Sequence, residues 1–342
     1  MAGGGGVPQN RWTVRFFCCN INSMFTTPKS VLVTGAAGFI AGNFIRKFQK
    51  EYPETEIVGL DNFFNSTKEA VSAGITFYEG SIRDEAMLEK IFSKHKPEYV
   101  FNFAAMSYVP LSVEKPVETS DVNITGTILV FKKSSEHGVK RVIHSSTSAI
   151  VGTAKHYPTN EKDNLPDPLS PYAAQKLACE PFAKIFGNLY GLDVACLRYF
   201  NVFGPGQYGV SPYSTVISAW LEAMYFPKNK EAVLFGDGEN RRDYCYVDDV
   251  VDANIACMRH DGKFGGEVFH IGTETYFSVN QVKEMIEKLT GRSLEVDRQP
   301  PRAGDARDTL ADTGKARQFF GYVPKVSFEE GLKRTVAWFQ AR

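Results

Sequence analysis

From residue 29 onward the chain alternates short, unbroken apolar runs with longer stretches whose apolar residues recur every three or four positions. Lys29-Ser-Val-Leu-Val-Thr34 is a run of the first kind; Phe44, Ile45 and Phe48 then mark one face of a helix ending before Pro53. Glu56-Ile-Val-Gly-Leu60 reads as a second strand, closed by Asp61. Thr76-Phe-Tyr78, Tyr99–Phe103, Arg141–His144 and Asp193–Arg198 continue as strands three to six, with helical periodicity over Ala86–His95 and Asp121–His137. Strands that are continuously apolar, each followed by a helix, predict a doubly wound parallel α/β sheet of the Rossmann type, covered on both faces. Ligands of such sheets sit at the carboxyl ends of the strands. Asp61, Ser145–Thr147 and Arg198–Asn201 fall there.

Beyond about Phe200 the pattern changes. Gly204-Pro-Gly206, Gly209, Pro212, Pro227, Gly236 and Gly238 break the chain up, and only Phe277–Thr290 and Val326–Phe339 keep a long amphipathic period. The expected division is residues 29–199 as the sheet domain and 200–243 with 273–342 as a smaller, irregular α+β domain for substrate. Residues 244–272 return to the sheet domain, through a strand and helix over Tyr244–His260. Residues 1–28 stand apart as an extension, expected to be flexible and dispensable, ahead of a second possible start at Met24.

The first strand runs into Gly35-Ala-Ala-Gly38-Phe-Ile-Ala41-Gly42. Gly35 suits a tight turn, Gly38 lets the backbone approach a pyrophosphate, and that group would sit at a helix N-terminus. Asp61, an acid about 20 residues further on, is placed for ribose hydroxyls and would repel a 2′-phosphate. This strand-turn-helix-strand unit predicts dinucleotide binding, with NAD preferred over NADP.

Ser170-Pro-Tyr-Ala-Ala-Gln-Lys176 carries the candidate chemistry. Ser170 can cap a helix and Pro171 suits its first position. Tyr172 and Lys176, four apart, share a face. The helix dipole and the ammonium would both favour phenolate, so the Tyr172 pKa is expected to fall and the residue to serve as a general acid/base. Tyr-x-x-x-Lys alone is common, and an ordinary capped helix carries it more often than a site does. Ser145-Ser-Thr-Ser148 is likewise a strand-end hydroxyl cluster, by itself more often a turn. Arg241-Arg242 is a phosphate clamp or a solvated surface pair.

In their order, Val33-Thr-Gly-Ala-Ala-Gly-Phe-Ile40, Leu60-Asp-Asn62, Asn102-Phe-Ala-Ala105, Ser145-Ser-Thr147, Tyr172-x-x-x-Lys176, Arg198-Tyr-Phe-Asn-Val-Phe-Gly-Pro205, Arg242-Asp-Tyr-x-Tyr-Val-Asp-Asp249 and Pro301-Arg-Ala-Gly-Asp305 resemble the extended short-chain dehydrogenases/reductases that act on nucleotide sugars. The chain is most similar there to UDP-sugar 4-epimerases, over roughly residues 29–340. The resemblance implies Tyr172 as acid/base, Lys176 on the nicotinamide ribose and Thr147 as the hydroxyl on the reacting sugar oxygen. It implies NAD contacts at Gly35, Gly38, Phe39, Ile40, Asp61, Asn62, Asn65, Ser66, Ser81, Ile82, Phe103, Ala104, Asn123 and Tyr199, beside Tyr172 and Lys176. On the substrate side it implies Ser146, Thr147, Asn201, Arg242, Arg302, Asp305 and, next to the sugar C2 substituent, Thr309. Ser81 replaces a usual aspartate, which predicts weaker hold on adenine. Pro181 should kink the catalytic helix. The family's dehydratases follow the Thr with Asp-Glu and its decarboxylases keep a Glu nearby. Here Ser148-Ala149-Ile150 offers no carboxylate, so simple C4 epimerisation leads. A keto-sugar reductase, a UDP-glucuronate epimerase or decarboxylase, and a catalytically silent NAD-binding module remain open. Thr309 is small enough to admit an N-acetyl group. A homodimer is a family expectation.

Charge narrows the partners. Thirty-nine basic against 39 acidic residues leave no net charge, which argues against nucleic acid and anionic membrane surfaces. Six cysteines and six histidines lack metal-ligand spacing, so no metal is expected, and reduced thiols suggest the cytoplasm.

Overall fold

Ser30–Thr34 forms strand β1 because a wholly apolar, β-branched run can be buried on both sides of a sheet: Val31, Leu32 and Val33 have no exposed surface. The structure, a computed structural model, describes residues 25–163, 165–210, 214–228, 231–301 and 306–342. After β1 come α1 (Phe39–Glu51), β2 (Glu56–Asp61), β3 (Thr76–Glu79), α2 (Glu85–His95), β4 (Tyr99–Asn102), α3 (Thr127–Glu136), β5 (Arg141–Thr147), α4 (Pro171–Tyr190), β6 (Val194–Tyr199), α5 (Val247–Arg259), β7 (Val268–Ile271) and α6 (Phe328–Gln340). The seven strands make one parallel sheet in the order β7-β6-β5-β4-β1-β2-β3. Its order reverses between β1 and β4, which opens a crevice over their carboxyl ends.

Alternate residues of each strand feed two cores. Val31, Val33 and Phe101 join Phe44 and Phe48 of α1 on one face; Leu32, Val58 and Val100 join Ile91, Phe92 and Phe131 on the other. Burial on both faces is what the continuous apolar strands require. A buried guanidinium also ties layers together: Arg141 donates to Asp193 Oδ2 (2.6 Å) and to the carbonyls of Cys257, His260 and Gly262 at the end of α5. There its charge meets the negative end of the helix dipole.

Three details depart from the sequence expectation. Tyr244–Tyr246 does not rejoin the large sheet; it pairs in parallel with Asn201–Phe203, and β7 supplies the seventh strand. β5 runs further than the expected Arg141–His144, through the hydroxyl cluster to Thr147, which pairs with Tyr199. The expected helix over Asp121–His137 opens as a π-helical stretch, Asp121–Gly126, before α3. Among the described residues no helix is long and apolar enough to cross a membrane. Cys179, Cys196, Cys245 and Cys257 are buried and unpaired, while Cys18 and Cys19 lie outside the described residues.

Candidate active site

A cavity of about 1570 Å³ fills the crevice. Gly35 turns the chain out of β1 with φ +68°, and a Cβ there would meet the Ala104 nitrogen at 2.9 Å. Gly38 opens α1 without a side-chain cap, so the first N–H groups of the helix are left for a ligand. Asp61 holds the rim: its Oδ2 accepts from the Ala37 N–H (3.0 Å) and its Oδ1 from the Phe63 N–H (2.7 Å) and the Ser66 hydroxyl (3.3 Å). Ser81 Oγ accepts from the Arg83 N–H at 3.2 Å. Every cofactor-side residue expected from the sequence borders this cavity except Asn123. Asn123 is fully buried; its amide is taken by the Met106 backbone and by Gln175.

The wall opposite α1 is α4. Ser170 accepts from the Ala173 N–H (3.2 Å), Pro171 stands at the first position, and the Tyr172 N–H donates to Ser112 Oγ (3.0 Å). Tyr172 meets the Thr147 hydroxyl, which itself accepts from the Ala149 N–H at 3.2 Å. Burial pushes the Tyr172 phenol up to about 12, against a lowering pull from the Thr147 hydrogen bond. The direction is opposite to the expected fall: desolvation of the phenolate by burial is the largest cause. Lys176 is 2% exposed and borders the cavity, and burial lowers its pKa. Among the described residues its ammonium has no hydrogen-bond or ion-pair partner in the protein, as a group held ready for a ligand hydroxyl should be. The bare helix end, the Gly35 approach and this lysine fit a dinucleotide with a ribose near Lys176.

Sequence reasoning missed Glu180, one further turn along the face of Tyr172 and Lys176. It accepts from Ser146 Oγ (2.7 Å) and grips Arg198 through two hydrogen bonds of 2.8 and 2.7 Å. The third acid or base at a spacing of four was the available signal. The helix runs on through Pro181 to Tyr190.

On the substrate side, Asn201 Nδ2 donates to Thr309 Oγ1 (3.1 Å), and the Thr309 carbonyl accepts from the Asp243 N–H (2.9 Å). Arg242 reaches the Arg241 and Arg307 carbonyls, both at 3.0 Å. Arg241 is bound by Asp308 (3.0 and 2.7 Å) and by Tyr276, over whose ring it lies. Asp243, with no exposed surface, accepts from Thr273, Glu274 and Ala311, while burial raises its pKa to about 6. Asn201, Arg242 and Thr309 thus form one cluster, set apart from the lining of the large cavity. Arg302 and Asp305 lie outside the described residues.

Comparisons with known proteins agree with this geometry. The chain is 37% identical over 324 residues to a UDP-glucose 4-epimerase of Halalkalibacterium halodurans, covering 90% of this chain and 95% of that one. A UDP-glucose 4-epimerase from Thermotoga maritima, solved with UDP-glucose, superposes with a TM-score of 0.86 at 41% identity, covering 91% and 99% of the two chains. A UDP-N-acetylglucosamine 4-epimerase from Methanobrevibacter ruminantium, in complex with UDP-N-acetylmuramic acid, gives 0.83 at 33%, covering 92% and 99%. The family model described as NAD dependent epimerase/dehydratase matches residues 31–272, and the chain belongs to that family.

Proposed function

We propose that the protein interconverts the C4 epimers of a UDP-hexose, UDP-glucose with UDP-galactose or their N-acetyl counterparts, and keeps NAD bound through the cycle. The observation that carries this reading is the contact of Thr147 with Tyr172, which borders the same cavity as Lys176, with no carboxylate in Ser148-Ala149-Ile150. NAD would be held by the Gly35–Ile40 turn, Asp61 and Lys176, and when bound it supplies a reversible hydride acceptor whose ring charge favours the phenolate. Tyr172 takes the proton from the sugar O4 as C4 is oxidised, while Thr147 hydrogen-bonds the same oxygen and keeps the phenol aimed at it. The 4-keto sugar turns over in the site, and reduction on its other face returns the proton from Tyr172 to O4. Asn201, Arg242 and, from the sequence, Arg302 grip the diphosphate; Asp305 takes the nucleotide ribose. Thr309 borders the C2 substituent, and its size supports acceptance of an N-acetyl group.

The exposed Ile185, Leu189 and Tyr190 of α4, at 43, 72 and 60% exposure, support a homodimer in which a second copy covers that apolar face. The purified protein, incubated with UDP-glucose, UDP-N-acetylglucosamine and UDP-glucuronate without added NADH, is followed by NMR. A C4 epimer formed with no net change in cofactor names the substrate. No turnover of any of the three, with or without NAD, sinks the epimerase reading.

A further inference from the structure

One side chain between Tyr172 and Lys176 has no part in the chemistry above. Gln175 is 3% exposed, on a helix whose neighbouring Ala174 faces solvent. Its Nε2 donates to Thr119 Oγ1 (2.9 Å), Ser120 Oγ (3.0 Å) and the Pro116 carbonyl (3.4 Å), and its Oε1 accepts from Asn123 Nδ2 (2.8 Å). Asn123 passes the link on: Oδ1 accepts from the Met106 N–H (2.8 Å) and Nδ2 donates to the Met106 carbonyl (3.1 Å). Met106 borders the cavity two residues after Ala104.

The segment that receives Gln175 is unusual in its own right. Pro116–Ser120 is a short helix, and Asp121–Gly126 continues it with π-helical hydrogen bonding before α3 begins. A π turn is rare, adds a residue per turn and is frequent at functional sites. Asn123 sits inside it, with its backbone carbonyl accepting from the Cys179 thiol one turn beyond Gln175 (3.2 Å). The widened turn and the catalytic helix thus meet through a polar bridge with the donors and acceptor of Gln175 all engaged. Buried amides cost free energy unless so satisfied, and an apolar side chain would fill the same volume at lower risk. A long amide kept there has a geometric task.

We propose that Gln175 is a positioning residue that holds the Tyr172–Lys176 face of α4 in register with the Met106 wall of the cavity. The inference rests on the reading of Tyr172 and Lys176 as the reacting pair. Gln175 touches neither substrate nor cofactor; it fixes the distance between the phenol and the part of the site across from it. A displacement of about 1 Å at a reacting centre costs on the order of 100-fold in rate. Loss of the bridge therefore lowers kcat and leaves ligand binding at the Asn201–Thr309 cluster, to which Gln175 makes no contact, untouched.

The test compares the full-length protein with Gln175→Leu, which keeps the volume and removes every hydrogen bond, and with Tyr172→Phe as a control. Four quantities are read: kcat, KM for the UDP-sugar, NAD retained per chain after gel filtration, and Tm. The expected result is kcat lower by about 10- to 100-fold, with KM and bound NAD within about threefold of the parent. A kcat within threefold of the parent with only Tm lowered makes Gln175 a structural residue and overturns the proposal. So does a loss of activity that tracks loss of NAD. If Gln175→Leu does not fold, Thr119→Val with Ser120→Ala removes two acceptors and should lower kcat in the same direction by a smaller factor; unchanged turnover there is equally fatal. Full turnover in Tyr172→Phe would instead remove the reading on which the proposal stands.

Discussion

The Glu180–Arg198 pair offers the sharpest test of how the site is supported. Both residues are nearly buried, at 6 and 5% exposure, and the pair is bidentate. Glu180 also receives the Ser146 hydroxyl, and Arg198 lies 3.4 Å from His270 Nε2. Replacing Glu180 by Leu leaves a guanidinium in a dry setting with one weak neighbour. Removing one partner of such a pair costs about 3–5 kcal/mol, because the desolvation penalty of the survivor is no longer offset. At an unfolding entropy of about 2.1 cal/mol/K per residue, a loss of 4 kcal/mol lowers Tm by roughly 6 °C for a chain of this length. Urea unfolding of the parent, Glu180→Leu, Arg198→Leu and the double variant closes a cycle. The double variant should recover at least half of the loss, since two apolar side chains of similar size carry no stranded charge. A loss under 1 kcal/mol in Glu180→Leu, or strictly additive single effects, would refute the reasoning: the charges would then be solvated or uncoupled.

Gly35→Ala forces a Cβ to 2.9 Å from the Ala104 nitrogen at a φ of +68°. A loss of about 2–4 kcal/mol and a NAD content at least tenfold lower should appear in thermal melts and in absorbance of the released cofactor. His270 is fully buried, faces the Thr159 carbonyl and Arg198, and has its pKa lowered to about 3 by burial first and Arg198 second. A depressed pKa stabilises the fold above the unfolded value of about 6.5, and this stability is lost as pH falls toward 3. By pH 5 the loss is about 2 kcal/mol. His270→Gln should flatten that acid slope in urea melts taken from pH 7 to 5; an unchanged slope would remove His270 from the account. Thr309→Tyr should cut turnover of UDP-N-acetylglucosamine at least tenfold while sparing UDP-glucose, and equal loss on both sugars would end the steric argument.

The sheet was legible in the sequence because continuous burial writes itself as continuous apolarity. Val31–Val33, Ile57–Leu60 and Val194–Leu197 need no distant information to be recognised as strands. The phosphate turn and the α4 cap were legible for a similar reason: Gly35, Ser170 and Pro171 act through local backbone geometry. Tyr244–Tyr246 has the same apolar look as a sheet strand, yet it pairs with Asn201–Phe203. Which partner a short buried strand takes is set by long-range topology, and its own residues do not carry that choice.

The same division explains the chemistry that was misread. Tyr172 and Lys176 were found through a spacing of four, which is a helix property. The direction of the Tyr172 shift was not, because it depends on how much low-dielectric material surrounds the phenol, and that comes from strands and loops remote in sequence. Asn123 shows the point from the other side. Its place in the chain matches a cofactor contact, but the π-helical turn hands its amide to Met106 and Gln175. Glu180 and Gln175 lie on the same helix as the reacting pair, and each takes its meaning from a partner elsewhere in the chain: Arg198 for one, Thr119 to Asn123 for the other. The reacting groups of this site are a local pattern, whereas burial sets their pKa and buried polar contacts that span 18 to 56 residues support the helix that carries them. Substitutions at those supports should therefore alter rate more than affinity.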